Sequence, residues 1–461
     1  MACLTLPYPT NSADVFARIA DWPLAIFLDS GQMPDQYRQF DIFSAAPPQW
    51  LRLQDNQVWH ADAQSQRRLE GTVFDAIKQA VVDVDPVNDA PKHLPFTVGA
   101  LGYVGYDAGR QLESLPSHRI CDLTLPDAVV GLYDWSVVID HTKHSAWLVS
   151  SLPTKHPRLQ RVYNHLTQSQ SVTKDFLLQQ PFKACIDQAA YQNAFQQLKH
   201  HIQMGDCYQA NLCQRFQTTY QGSPFAAYYH LRQHHASPFS GFFHTPWGDI
   251  LSHSPERFLK IQQREVMTQP IKGTAARDHH QPQRDRELAD ALQRSEKNRA
   301  ENCMIVDLLR NDLARTCDDV KVPALCECHS FPNVHHLIST VTATQQPGVH
   351  SLDTLKTCFP GGSITGAPKI RAMEIIADLE PYHRSAYCGS FFYCDTQGHL
   401  DSNILIRTLL CVDQTITAYA GGGIVHDSEV NSEYQETLTK IQRLLHLLES
   451  SFLTQDKELP C

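Results

Sequence analysis

Strand-forming runs in this chain come in groups separated by short turns, and that grouping most limits the folds open to it. Ala128 to Asp140 is a run of β-branched and aromatic residues. A turn-like break follows at His141-Thr142-Lys143-His144, and Ser145 to Leu152 resumes the apolar pattern, as a hairpin does. Ile250 to Met267 reads as two strands and a turn, Ser402 to Val412 alternates, and Thr415 to Ala420 follows as another strand. Pro95 to Gly109 is rich in glycine and aromatic residues, a composition suited to strands packed closely against other backbone.

Helical periodicity marks three further stretches. Gln188 to Met204 ends at Gly205, a helix stop. Arg284 to Arg315 reads as a charged helical region in two pieces, with an apolar stripe through Met304, Ile305, Leu308 and Leu309. The last helix, Tyr434 to Leu448, carries Tyr434, Leu438, Ile441, Leu445 and Leu448 on one side. The polar stretch from Leu166 to Lys174 is the linker candidate. It divides the chain into a region 1–165, a linker 166–185, a second region 186–450 and a tail 451–461. The sum is a mixed α/β chain, α+β rather than strict βαβ alternation.

Composition narrows the function classes. A net charge of −10 with no basic block argues against nucleic acid or an anionic membrane as partner. No run approaches the roughly 20 apolar residues of a membrane span, and Met1 to Asp14 lacks signal-peptide features, so a cytoplasmic location is expected. Fourteen cysteines in such a chain read as free thiols in a reducing compartment. Cys317, Cys326 and Cys328 lie near one another in sequence, but without a CxxC or a second pair they do not make a zinc site.

Several segments carry chemistry. Phe359 to Lys369 (FPGGSITGAPK) spaces two glycines as a phosphate-binding loop does. Ala367 and Pro368 then stand where that loop needs Lys and Ser or Thr, so a nucleotide-binding reading fails. Ala420 to Ile424 (AGGGI) follows a strand, and its glycines either make a tight turn or bring backbone amides to an anion. Glu301 falls on the apolar stripe of its helix, where a carboxylate needs a salt bridge or a metal. Glu433, Glu436 and Lys440 share one face of the last helix, which periodicity turns toward solvent. Lys272, in PIKGT, and Glu256, in SPERF, are by themselves ordinary: a solvated lysine and a partner for Arg257.

Together these segments resemble the chorismate-utilising enzymes, which include anthranilate synthase large subunits, aminodeoxychorismate synthase component I, and isochorismate and salicylate synthases. The matching pieces are GALGYVGYD (99–107), SPERF (254–258), PIKGT (270–274), RAENCMIVDLLRNDLAR (299–315), FPGGSITGAPKIRAMEII (359–376), IRT (406–408), AGGGIV (420–425) and EYQETLTK (433–440). The resemblance implies two antiparallel sheets packed as a sandwich with helices outside, the two halves of the chain interwoven.

Two positions resemble one branch. Anthranilate synthases, the alternative reading, usually carry alanine where this chain has Lys272; aminodeoxychorismate synthases carry the lysine. Isochorismate and salicylate synthases use another lysine to activate water, and Gln209 occupies its place here. The resemblance thus implies amination of chorismate to 4-amino-4-deoxychorismate, for p-aminobenzoate and folate synthesis. Lys272 is the implied nucleophile and Glu256 the acid for the departing hydroxyl. It also implies Mg²⁺ on Glu301 and Glu436, with Glu433 and Asn298 nearby. Substrate contacts fall to Gln209, Asn211, Gly273, Thr274, Tyr387, Arg407, Gly421, Gly422, Gly423 and Lys440. A glutaminase domain would need a further ~180 residues, so a separate glutamine amidotransferase subunit is the expected ammonia source. A tryptophan pocket is carried over to Ser30, Tyr37, Arg38, Gln39, Phe40, Pro238, Phe239 and Ser240. Leu28-Asp29-Ser30 departs there from the usual LLES.

Overall fold

A computed structural model describes residues 2–34, 38–116, 119–168 and 175–453. The strand groups assemble into two large antiparallel sheets of 13 and 12 strands. Each sheet draws on both halves of the chain. In the first, Ile26–Asp29 pairs with Phe239–Thr245, which joins the N-terminal strands to Gly248–Ser254, Thr408–Val412, Thr415–Ile424 and Gln209–Gly222. In the second, Gly99–Val104 pairs with Ser390–Asp395, which leads through Leu400–Asn403 to Arg257–Gln262, Glu265–Thr268, Val334–Gln345 and Ile271–Ala276. Aromatic rings join the facing sheets: Phe243 of the first meets Tyr103 and Phe391 of the second at centroid distances of 6.1 and 6.4 Å. Helices cover the outer face of the first sheet, where Phe16, Phe27, Phe225 and Phe242 interlock. No helix among the described residues is long and apolar enough to cross a membrane.

Several expected elements divide where the chain changes sheet. Ala128 to Asp140 is two strands: Ala128–Tyr133 lies in the second sheet and Trp135–Asp140 in the first, with Asp134 between them. Only Trp135–Asp140 makes the hairpin with Ser145–Ser150. Ser402 to Val412 likewise spans the end of Leu400–Asn403, a crossing, and Thr408–Val412. Ile250 to Met267 covers three strands rather than two, and the triglycine is the end of Thr415–Ile424 rather than a turn after it. Apolar patterning reads burial but not which sheet does the burying, so a change of sheet is silent in sequence.

The helices come close to their expected bounds: Gln188–Gln203, Pro282–Arg294, Glu296–Leu313 and Val430–Phe452. Ser295 separates the middle two, and its hydroxyl caps the second by accepting from the Asn298 amide. Residues 169–174 of the linker and 454–461 of the tail lie outside the described residues.

Gly102 shows why the 95–109 stretch is glycine-rich. A Cβ there would lie 2.2 Å from Val129 O and 2.7 Å from Val130 Cα on the neighbouring strand. Backbone cannot yield in mid-sheet, so Gly102→Ala is expected to cost at least ~1–3 kcal/mol, read as a lowered urea midpoint at unchanged slope.

Candidate active site

The site forms where two crossings between the sheets meet. Glu256 lies between Gly248–Ser254 of the first sheet and Arg257–Gln262 of the second; Arg407 lies between Leu400–Asn403 and Thr408–Val412. Hydrogen bonds tie the crossings together: Ile404 N–H donates to Glu256 O (3.1 Å), His253 N–H to Arg407 O (3.0 Å) and Ser254 Oγ to Ile404 O (2.5 Å). Next to them the edge strand Ile271–Ala276 presents Lys272, Gly273 and Thr274.

Lys272 Nζ donates to Ser363 O at 2.9 Å, and Asn211 Nδ2 reaches the same oxygen at 2.9 Å. Arg384, fully buried, props this loop from below. It donates to Ile364 O and Asn211 O, both at 2.9 Å, and forms a two-pronged ion pair with Glu380 at 2.6 and 2.8 Å. Burial pulls the Lys272 amine below its ordinary value, and Lys440 adds to that against Glu301 and Glu256. Glu256, 5% exposed, is pushed the other way, up to about 7, by burial that outweighs the Ser363 hydroxyl and Lys272. An amine lowered from its ordinary value therefore sits near a carboxyl raised above its own, around one serine.

The last helix closes the opposite side, and here the solvent-facing expectation is overturned for Glu433, while Glu436 and Lys440 stay exposed as expected. Glu433 is buried, held by Lys297 (2.8 Å) and the Ser428 hydroxyl (2.6 Å). Glu436 pairs with Lys440 at 2.6 Å, and Lys440 Nζ also donates to Gly421 O at 3.0 Å. The helix lays this face on the triglycine. A Cβ on Gly422 would lie 3.4 to 3.6 Å from Glu433, Glu436 and Lys440, and one on Gly423 only 2.2 Å from Gln209 Nε2. Periodicity missed this because a glycine strand has no side chains to signal that it is a packing surface. Gln209 is fully buried, and neither its amide atoms nor Asn211 Oδ1 has a partner among the described residues.

Glu301 is half-buried, with no hydrogen bond or ion pair to the described residues, and burial raises its pKa with Glu433 and Glu436 adding to the rise. Magnesium is typically held by one or two carboxylates, its remaining positions filled by water and substrate oxygens. No three His, Cys, Asp or Glu side chains converge as a closed metal cage among the described residues. A partnerless Glu301 beside Glu436 fits an open site of that kind. Asn298 stands close: a Cβ on Gly273, whose φ is +86°, would lie 2.9 Å from its Cγ.

Arg407 is a second charged group of the site without a partner among the described residues. Its guanidinium makes no hydrogen bond or ion pair with the described residues, and burial and Arg443 bring its pKa down to about 10. A half-buried cation left unpaired is a place for an anion. Beside it His336, missed in the sequence, shares a 2.9 Å hydrogen bond with Thr274 Oγ1 and is driven down to about 3 by burial and Arg407. Its one signal was a histidine inside an apolar strand run. Tyr387 is 5% exposed, stacked on Tyr419 at 5.1 Å and beside Arg384, and the next residue, Cys388, donates its N–H to Leu405 O of the crossing at 2.8 Å.

Ser30, Arg38, Gln39, Phe40, Pro238, Phe239 and Ser240 line one cavity of about 750 Å³; Tyr37 lies outside the described residues. Pro255, Arg257 and Ile271 line it too, each adjacent in sequence to a site residue.

The chain belongs to the chorismate binding enzymes, whose family model matches residues 37–446. Within that family it is 42% identical over 453 residues to aminodeoxychorismate synthase component 1 of Escherichia coli (strain K12), covering 97% of this chain and 98% of that one. Identity to anthranilate synthase component 1 of Geobacillus stearothermophilus is 33% over 404 residues, 82% of this chain and 78% of that one. The solved anthranilate synthase component I from Streptococcus pneumoniae TIGR4 superposes with a TM-score of 0.79 at 28% identity, covering 88% of this chain and 92% of that one. The chain is an enzyme of the aminodeoxychorismate synthase component 1 type.

The raised Glu256 carries a stability consequence. Its folded pKa, about 7, exceeds the ordinary 4.5, so the wild-type fold loses stability as pH rises between those values. Glu256→Gln escapes that penalty. The variant is expected to be more stable than wild type by up to about 3 kcal/mol above pH 7, with the gain shrinking as pH falls and gone below about 4.5. Urea melts at several pH values check this.

Proposed function

We propose that this enzyme aminates chorismate with ammonia to 4-amino-4-deoxychorismate, through a covalent bond to Lys272, in the cytoplasm and toward p-aminobenzoate and folate. The observation that carries the reading is the opposed tuning of Lys272 and Glu256 around Ser363. A neutral Lys272 adds at ring carbon 2, the double bonds shift, and the 4-hydroxyl leaves. Glu256 donates its proton to that hydroxyl, which would otherwise be a poor leaving group. Ammonia then adds at carbon 4, the double bonds return, and Lys272 departs with its bonding electrons. The enolpyruvyl group is retained.

Arg407 takes one carboxylate of the dianion, with Lys440 and the amides of Gly421 to Gly423 completing an anion cradle. Glu301 and Glu436 are the residues that would hold Mg²⁺, with Glu433 and Asn298 beside them; when bound, the ion neutralises the ring carboxylate. We infer a separate glutamine amidotransferase subunit as the ammonia source, since ammonia is scarce as free base near neutral pH. Tryptophan is the ligand we propose for the 750 Å³ cavity, whose mixture of Arg38, Asp29 and apolar walls suits a zwitterion with an aromatic side chain.

The test is mass spectrometry of products from purified protein, chorismate, Mg²⁺ and excess ammonium at mildly alkaline pH. An amine that keeps its enolpyruvyl group is expected; anthranilate with free pyruvate would place the chain with the alternative activity. Lys272→Ala is expected to lower kcat by at least ~10². An intact-protein mass gain on the wild type but not on the variant would trace the adduct to that amine.

A further inference from the structure

Two cysteines outside the site stand together on elements that the site depends on. Cys303 is exposed on the helix Glu296–Leu313, two residues beyond Glu301. Cys326 is 2% exposed on the strand Cys317–Ser330, between the exposed Leu325 and Glu327. The strand's register against Val334–Gln345 shifts between Ala324 and Glu327, and Cys326 has a φ of 55°. Such a bulge re-aims a side chain, and here it turns the thiol under the helix. Cys326 Sγ lies 3.9 Å from Arg299 O, the carbonyl one helical turn before Cys303. Burial and the neighbouring Cys303 thiol raise the Cys326 thiol above its ordinary value. The arrangement is pinned: Cys326 N–H donates to Ser339 Oγ at 2.9 Å, and Ser339 Oγ donates to Asn302, the neighbour of Cys303.

We propose that Cys303 and Cys326 are a redox modification site, closing reversibly to a disulfide that joins the Glu296–Leu313 helix to the Cys317–Ser330 strand. The oxidant class is a small-molecule disulfide. The exposed Cys303 sulfur attacks it, forming a mixed disulfide and releasing one thiol. The Cys326 sulfur then attacks Cys303 and releases the second. Two protein thiols lose two hydrogens, and the reagent's disulfide becomes two thiols. The bond fixes the helix that carries Asn298 and Glu301. Resting on the reading of Glu301 given above, closure lowers turnover.

The test incubates the full chain with oxidised glutathione, alkylates the free thiols, digests without reduction and maps the linkages by mass spectrometry. A Cys303–Cys326 peptide pair two hydrogens lighter than its parts is expected. It should be lost on dithiothreitol treatment and absent from Cys303→Ser. Glutathione that stays on Cys303 with Cys326 alkylated, or a link from Cys303 to Cys328 instead, would overturn the site. In the linked protein, hydrogen exchange across the helix should slow and kcat should fall several-fold, restored by reductant, while Cys303→Ser keeps its turnover in both conditions. Linkage with kcat unchanged would overturn the control of turnover but not the disulfide. Linkage in a chain that makes no aminated product would count against the proposed activity alone.

Discussion

The buried ion pair between Arg384 and Glu380 is the fixed point of the site. It spans the carbonyls of Ile364 and Asn211 and, through Glu380, the amide of Cys213. That network sets where Ser363 O stands, and Ser363 O in turn receives both Lys272 and Asn211. Two opposite charges without access to water hold together only when their remaining hydrogen-bonding capacity is met, and here backbone meets it. The pair thus joins three segments distant in sequence, and Lys272 can be desolvated without being left unanchored.

On that floor the sheets supply reactivity by changing partners. Glu256 and Arg407 lie where the chain has left one sheet and has not yet entered the other, so neither is committed to a strand's alternation. The helix at the far wall supplies charge, and the triglycine strand lets it come close. Lys272, Glu256 and Arg407 are each held by backbone that has little freedom to move, while Glu301 and Arg407 keep ends free for a ligand.

Much of this was legible in the residues. The strand grouping, the four helices and the motif segments could be read directly, and the family resemblance carried by the motifs implied the antiparallel sheets and named Lys272, Glu256, Glu301 and Glu436 as a set. What stayed hidden has physical causes. The changes of sheet at Asp134 and at 404–407 leave hydrophobicity unbroken. Glu433 reads as a surface residue because the partner that buries it is glycine. His336 is one of two adjacent histidines, with His335, in an apolar strand, indistinguishable from a core residue until Thr274 and Arg407 are seen beside it. The thiol pair depends on a bulge, and a bulge has no composition of its own.

The strand Ile271–Ala276 and the crossing at Glu256 have two sides, and the chain uses both. Ile271, Pro255 and Arg257 line the 750 Å³ cavity, while Lys272 and Glu256, one residue away, belong to the candidate site. Neighbouring residues on an extended backbone share one peptide plane, so a wall displaced on the cavity side carries the amine and the acid with it. Whatever fills that cavity therefore acts as a shim behind Lys272 and Glu256, setting the spacing between the amine and the carboxyl.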